Sequence, residues 1–139
     1  MNHLLDTNVI SELAAARPNP RVVQWIDDLD PNTVYLSVIT IGELRKGIEK
    51  LPDSRRKETL RDWLSNDLLI RFSGRILLLD IEAMLTWGTL MAERERQGKP
   101  LPAIDSLIAA LALRHQCCLV TRNEDDFKEA GITVINPWR

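Results

Sequence analysis

The sequence predicts a three-layer α/β/α fold built on a mainly parallel β-sheet. Short apolar segments alternate with longer segments of helical periodicity along the whole chain. The apolar segments also lack the polar alternation of strands that face solvent on one side, so we expect both faces of the sheet to be covered. Right-handed crossovers through the helices would then bring the strands side by side.

Length and composition indicate an ordinary globular protein. The chain has 139 residues, a net charge of −2 and 45% hydrophobic residues, so we expect a single domain over residues 1–139. No apolar run approaches the roughly 20 residues of a membrane span, and no signal peptide is visible, so we expect a cytoplasmic protein without a membrane partner. The adjacent residues Cys117 and Cys118 would point to opposite faces of a strand, which predicts two free, buried thiols.

Prolines and polar clusters separate the predicted elements in the first half of the chain. Residues 17–20, 30–32 and 51–53 each contain such a break. Ser37 directly follows a short β-branched and aromatic strand and is a predicted N-cap for the next helix. The predicted elements are a strand at 2–6, helices at 8–16 and about 22–29, a strand at 34–36, and helices at 38–50 and 54–71.

Continuous apolar runs mark the strands of the second half. Residues 75–79 form such a run and are predicted to be buried on both faces. Asp80 is a predicted N-cap for the following helix, and Pro102 suits the start of an almost wholly apolar one. The predicted elements are a strand at 75–79, helices at 81–96 and 104–115, a strand at 117–121, a polar loop at 122–126, a helical turn at 127–130 and a strand at 132–135.

Three carboxylates occupy positions that suggest chemistry. Asp6 ends an apolar strand, Asp105 lies in the first turn of an apolar helix, and Glu43 follows Gly42, which leaves room for something to approach it. Because ligands bind beyond the carboxyl ends of parallel strands, we expect these acids to converge on a divalent ion. Hard oxygen ligands without a Cys/His cluster favour Mg²⁺ or Mn²⁺ over Zn²⁺. The alternatives are helix capping by Asp6 and a solvated surface position for Glu43.

A run of seven basic residues lies between Arg45 and Arg61, and three acids dilute it. Two interpretations stay open: a local patch for nucleic acid, or a solvated helical face carrying ion pairs. The overall charge of −2 excludes a wholly basic surface that binds any polyanion. The acidic loop at residues 121–126 follows a buried strand, as Asp6 does, and is a candidate source of a further ligand.

Several motifs, in order along the full chain, resemble the PIN-domain ribonucleases. They match most closely the VapC and FitB-like toxins of bacterial toxin–antitoxin modules. The matching stretches are Leu-Leu-Asp-Thr-Asn-Val-Ile-Ser-Glu-Leu at 4–13, Ile-Gly-Glu-Leu-Arg-Lys-Gly at 41–47, Asp-Ser-Leu-Ile-Ala-Ala at 105–110, Thr-Arg-Asn with Asp-Phe at 121–127, and Ile-Asn-Pro-Trp at 135–138.

The resemblance implies a roughly five-stranded parallel sheet with an acid pocket that binds Mg²⁺ or Mn²⁺ and cleaves RNA. Asp6, Glu43 and Asp105 would be the catalytic carboxylates. Asp6 and Asp105 would bind the metal directly, and Glu43 would act through water or orient the nucleophile. The position where the family commonly has a fourth acid is Asn123 here, a departure that leaves Asn123 or Asp126 as fourth ligand. Polar residues implied to line the pocket are Thr7, Asn8 and Thr121.

The same resemblance implies partners. The family forms homodimers and is inhibited by an antitoxin protein whose C-terminal segment crosses the acid pocket, while the antitoxin's N-terminal part binds operator DNA. A groove between the helices at 8–16 and 38–71 is the expected docking site for such a segment. Positively charged residues such as Arg45, Lys46 and Arg122 would hold the RNA backbone.

Two alternative functions share features with this sequence. A phosphatase of the haloacid-dehalogenase kind also begins with an Asp after a strand, but it needs a second Asp two residues on, where this chain has Asn8. The other alternative is a non-enzymatic, partner-binding subunit of a toxin–antitoxin/DNA complex, with an active site degraded at Asn123. Retention of Asp6, Glu43 and Asp105 argues against such decay.

Overall fold

A five-stranded parallel sheet with helices on both faces forms the centre of the protein. The computed structural model describes all residues, 1–139. The strand order is β3-β2-β1-β4-β5, and the strands are β1 (His3–Leu5), β2 (Val34–Ser37), β3 (Ile76–Leu77), β4 (Cys118–Val120) and β5 (Val134–Ile135). The predicted three-layer α/β/α fold is therefore confirmed.

The helices connect the strands, and two of them begin at the N-caps that the sequence predicts. Ser37 Oγ accepts a hydrogen bond from the Thr40 amide, and Asp80 Oδ1 accepts one from the Ala83 amide. None of these helices combines the length and the apolar character that crossing a membrane requires. The helices are α1 (Thr7–Leu13), α2 (Pro20–Asp27), α3 (Val38–Glu49), α4 (Arg55–Trp63), α5 (Leu69–Arg71), α6 (Ile81–Arg96), α7 (Ala103–Arg114) and α8 (Glu124–Phe127).

Neighbouring residues of the central strands pack into two separate cores. Leu4 and Leu119 face the core beneath α6 and α7, whereas Leu5 and Val120 face the core beneath α1 to α4. This alternation follows from the two-residue period of a strand and explains why Leu4, Leu5, Leu119 and Val120 are all apolar. Cys117 and Cys118 divide between the two cores in the same way and are free thiols.

Several predicted bounds were wrong. The run at 75–79 is not buried on both faces: β3 spans Ile76–Leu77 at the sheet edge, and Leu78 and Leu79 are 62% and 37% exposed. An edge strand has only one neighbour, which a continuous apolar run does not reveal. The helix predicted at 54–71 contains a π-helical turn at Leu64–Leu68 between α4 and α5. The last helical turn is α8, three residues earlier than predicted.

The sheet topology creates a crevice at the carboxyl ends of β1 and β4. From β1 the chain moves outward to β2 and β3, and β4 and β5 lie on the other side, so the helices from the two directions diverge there. Asp6 directly follows β1 and Thr121 directly follows β4. The Asp6 amide donates to Val120 O at 2.9 Å and the Thr121 amide donates to Ile135 O at 2.9 Å, which fixes both side chains at this edge.

Candidate active site

Asp6 lies at the bottom of the crevice and is only 4% exposed. Its Oδ1 accepts a hydrogen bond from the Thr7 amide at 2.8 Å, so Asp6 also serves as the N-cap of α1. Its Oδ2 accepts hydrogen bonds from Thr121 Oγ1 at 2.7 Å and from Asn8 Nδ2 at 3.3 Å. The capping interpretation is therefore correct as far as it goes, but it accounts for one of the three bonds to this carboxylate.

The surroundings of Asp6 disfavour the ionised form of its carboxyl group. Burial raises the pKa of Asp6 above its ordinary value, and the nearby charges of Glu43 and Asp126 raise it further. The hydrogen bonds from Thr121 and Thr7 lower the pKa and so oppose this effect. A buried carboxylate with acidic neighbours and no basic partner is an arrangement that a cation would stabilise.

Glu43 enters the site from α3 and is held by a hydroxyl group. Its Oε1 accepts a hydrogen bond from Thr7 Oγ1 at 2.6 Å, while Oε2 accepts none. Thr7 Oγ1 also lies 2.9 Å from Thr40 Oγ1 on α3. Thr7 therefore bridges the start of α1 to two positions on α3, and one oxygen of Glu43 is left free.

Asp105 and Asp126 form the other side of the site. Asp105 lies in the first turn of α7, as predicted, and its carboxylate accepts no hydrogen bond. Burial raises the pKa of Asp105 to about 6, and the charges of Asp6, Asp126 and Glu43 contribute to this rise. Asp126 lies on α8 and is exposed. The structure thus brings the three predicted carboxylates together and adds Asp126 as a fourth.

Polar residues around Asp6 form a connected network. Asn8 Nδ2 also donates to Thr121 Oγ1 at 3.2 Å, and Asn8 Oδ1 accepts from the Arg122 amide at 3.3 Å. The Asn123 amide donates to Thr121 Oγ1 at 3.1 Å, but the Asn123 side chain makes no hydrogen bond and is exposed. The predicted pocket residues Thr7, Asn8 and Thr121 therefore all contact an acid of the site.

The spacing of the acids limits how an ion could be held. No three Asp, Glu, His or Cys side chains lie close enough together to bind one ion through their own atoms. An ion in this pocket would therefore contact one or two carboxylates directly and the others through water. Mg²⁺ commonly binds in this way, because it retains several of its waters.

An arginine stands at the rim of the site. The Arg122 guanidinium lies 5.1 Å from the centre of the Trp138 ring and forms no ion pair, whereas the neighbouring Arg139 pairs with Glu124 at 3.5 Å. A cation stacked on an aromatic face keeps its outward N–H donors free. Arg122 therefore offers a positive charge beside an acidic pocket without neutralising any of its acids.

A family model described as the PIN domain matches residues 3–132. The chain belongs to the PIN-domain family. VapC ribonuclease Y4jK of Sinorhizobium fredii is 40% identical over 135 residues, covering 97% of this chain and 96% of that relative. Toxin FitB of Neisseria gonorrhoeae is 41% identical over 135 residues, covering 97% of both proteins. The structure of FitAB bound to an IR36 DNA fragment matches with a TM-score of 0.93 at 39% identity, covering 99% of this chain and 96% of that chain.

These comparisons confirm the resemblance that the motifs indicate. The PIN-domain match begins in β1 and ends just before β5, so it includes all four acids of the site. The relatives in the VapC and FitB groups cover nearly the whole chain.

Sequence reasoning missed one member of this PIN-domain site. Thr40 is fully buried and contacts Thr7 Oγ1, yet its sequence position suggests an ordinary helical residue. A signal was available: Ser37, Thr40 and Glu43 are spaced three residues apart, which places them along one side of α3. The role of Trp138 beside Arg122 carries no such signal, because it depends on where the C-terminal tail folds back.

Proposed function

We propose that this PIN domain is a metal-dependent endoribonuclease and the toxin of a toxin–antitoxin module. The observation that carries the proposal is the meeting of Asp6, Glu43, Asp105 and Asp126 in one crevice, where the neighbouring acids raise the pKa values of Asp6 and Asp105. The names of two relatives at about 40% identity support it, since one is called a ribonuclease and the other a toxin.

Asp6 and Asp105 are the proposed direct ligands of Mg²⁺, or of Mn²⁺, and Glu43 would contact the ion through water. Two direct carboxylates accord with the finding that no three acids lie close enough together to bind one ion, and with the oxygen preference of Mg²⁺. When bound, the ion supplies positive charge at the phosphoryl and leaving oxygens and makes a water more acidic. Asp126, and less directly the uncharged Asn123, would complete the ligand set.

The side chains of the site have separate tasks in this proposal. Thr121 and Asn8 hold Asp6 in one orientation by donating to its Oδ2. Glu43 Oε2 accepts no hydrogen bond, so it is available to orient the attacking water and to take its proton. Asp105, with a pKa of about 6, is mostly ionised near neutral pH and adds its charge to the site.

RNA is the proposed substrate, and its backbone would be held by free basic side chains at the rim. Arg122 is placed for this by the Trp138 ring and by the hydrogen bond that its backbone amide donates to Asn8 Oδ1. Lys46 on α3 forms no ion pair, whereas Arg45 pairs with Glu49 at 3.0 Å. The basic run therefore contains both ion-paired and free members, and the free ones suit contacts to phosphates.

A cognate antitoxin is the proposed inhibitor, and DNA would be bound only through it. A continuous groove runs between α1 and α4, with Leu13, Ala14, Leu60 and Trp63 along its walls and Arg56 at its edge. The groove continues along α3 to Glu43. An amphipathic antitoxin segment seated there would reach the acids and block the substrate. The FitAB complex with DNA supports an assembly of this kind.

A homodimer is the proposed oligomeric state. Five of the eight large exposed apolar side chains lie between residues 78 and 85, in the loop after β3 and the first turns of α6. A monomer rarely leaves so many apolar side chains in one region, and we expect a second copy of the chain to cover them. Light scattering should give a dimer mass, and Leu85→Glu should give a monomer. The five are Leu78, Leu79, Ile81, Met84 and Leu85.

RNA cleavage by the purified protein tests the proposed function. Wild type and Asp6→Ala would be incubated with total tRNA in Mg²⁺ or Mn²⁺, with EDTA as control. Cleavage by the wild type that both EDTA and Asp6→Ala abolish is the expected result. Equal cleavage by Asp6→Ala would assign the activity to a contaminant or to another site. Absence of both cleavage and metal binding would instead favour the non-enzymatic, partner-binding function.

A further inference from the structure

We propose that Thr40 and Ser37 are positioning residues for Glu43 and act on it through Thr7. The inference deepens the proposed nuclease function and rests on it for the role of Glu43. Ser37 Oγ, Thr40 Oγ1 and Thr7 Oγ1 form a chain with successive distances of 3.3 and 2.9 Å. The chain ends at Glu43 Oε1, 2.6 Å from Thr7 Oγ1.

The direction of every hydrogen bond in this series follows from the acceptor at its end, the Glu43 carboxylate. A carboxylate has no hydrogen to donate, so the single hydroxyl hydrogen of Thr7 points to Glu43. Thr7 Oγ1 can then only accept from Thr40, whose own oxygen accepts from Ser37. Each hydroxyl group thus donates toward Glu43. Hydrogen bonds that all run in the same direction polarise and strengthen one another.

The start of the chain is anchored in the backbone. Ser37 ends β2, is fully buried, and its Oγ accepts from the Thr40 amide at 3.1 Å. Thr40 is also fully buried, so water does not compete for its hydroxyl group. This series of hydroxyl groups therefore connects Glu43 to the end of β2, and it restrains the Glu43 side chain more than its attachment to α3 alone would.

Helix capping explains Ser37 but not Thr40. A threonine inside a helix commonly bonds the carbonyl four residues earlier, which satisfies it within its own helix. Thr40 Oγ1 instead bonds across to Thr7 on α1. The consequence at the site is that Glu43 Oε1 is occupied by a hydrogen bond and Oε2 has no hydrogen-bond partner.

A pair of variants at one position separates positioning from packing. Thr40→Val keeps the shape of the side chain and removes the hydroxyl, whereas Thr40→Ser keeps the hydroxyl and removes a methyl group. Both would be assayed below their unfolding transitions, with kcat and KM measured on the same RNA in Mg²⁺. We expect Thr40→Val to lower kcat about tenfold with KM within about twofold, and Thr40→Ser to retain most of the activity.

A second measurement does not depend on nuclease activity. In metal-free protein, the ¹³C resonance of the Glu43 carboxyl group should move or broaden in Thr40→Val and stay near its wild-type position in Thr40→Ser. An unchanged resonance in Thr40→Val, or unchanged kcat in an active enzyme, would overturn the positioning role. Equal losses in both variants would assign Thr40 to packing. If the wild type cleaves no RNA, the proposed function fails while the resonance still decides the role of Thr40.

Discussion

The two sides of the acid site are built in different ways. On one side, Asp6 accepts three hydrogen bonds and Glu43 accepts one from a hydroxyl at the end of a buried chain. On the other side, Asp105 accepts none, and Asp126 lies exposed on the short helix α8. The first side is fixed by the protein, whereas the second is held only by the positions of its helices.

This difference indicates where a cation would matter most. Donors from Thr7, Asn8 and Thr121 offset part of the cost of burying the Asp6 charge. Asp105 has no such donor, and its pKa is raised by burial and by the charges of three acidic neighbours. We therefore expect substitutions on the two sides to reduce catalysis alike but to change the stability of the metal-free protein in opposite directions.

Asp6→Asn should have the largest effect. The amide NH₂ group cannot accept the hydrogen bonds that one oxygen of Asp6 accepts, and the direct metal ligand loses its charge. RNA cleavage should fall by roughly 10²- to 10³-fold, the scale seen when a preorganised electrostatic group is removed. Unfolding in urea should also show a loss of about 1–3 kcal/mol, because buried donors are left unpaired. Unchanged stability would mean that the network around Asp6 contributes little.

Asp105→Asn should reduce cleavage by roughly 10²-fold for the same electrostatic reason, yet make the metal-free protein more stable. Removing this charge relieves repulsion from three acids without breaking a hydrogen bond. Urea unfolding in EDTA should show a gain of about 0.5–1 kcal/mol, as for other relieved like-charge clusters. A loss of stability would refute the contrast between the two sides.

Asp126→Asn should lower cleavage about tenfold, with most of the change in metal affinity measured by calorimetry. Its charge acts on both Asp6 and Asp105, which places it within electrostatic reach of the ion. Asp125→Asn is the matched control, because Asp125 lies one residue away, is 92% exposed and pairs with Lys128. Equal effects of the two substitutions would point to the general charge of α8 instead.

The stability of the metal-free protein should fall as pH rises. The pKa of Asp105 is raised to about 6, whereas in an unfolded chain an Asp titrates near 3.9, so the folded state binds this proton more tightly. Between about pH 4 and 6 the free energy of unfolding therefore decreases with rising pH, and Asp6 acts in the same direction.

Thermal unfolding in EDTA at a series of pH values measures this effect. The midpoint should fall by about 2–4 °C over that range, a size reduced by the solvent screening of a half-exposed carboxylate. Added Mg²⁺ should restore it mainly above pH 6, where Asp105 is ionised. Asp105→Asn should flatten the profile, and a wild-type profile that rises with pH would contradict the assignment.

The positions of Asp6 and Asp105 were predictable because their signals are local. An acid after an apolar strand, and an acid in the first turn of an apolar helix, each lie within a few residues of the feature that explains them. The sequence left the choice between Asn123 and Asp126 as fourth ligand open, because a four-residue helix gives almost no periodicity. The exposure of Leu78 depends on the strand order, which puts β3 at an edge and which no single segment encodes.

The smallest predicted effect tests the room beside Glu43. Gly42 and Gly47 both lie within α3, and a methyl group added at either would meet nothing within 4 Å. Gly→Ala at each should therefore stabilise the helix by about 0.4–1 kcal/mol, measured by urea unfolding. Gly47 lines the same pocket as Glu43, one helical turn away, whereas Gly42 lies on a different side of α3. Only Gly47→Ala should therefore also weaken RNA cleavage, by raising KM, because its methyl group would occupy space beside Glu43 that the substrate needs. Full activity in Gly47→Ala would show that the RNA approaches Glu43 from the side of Asp105 and Asp126.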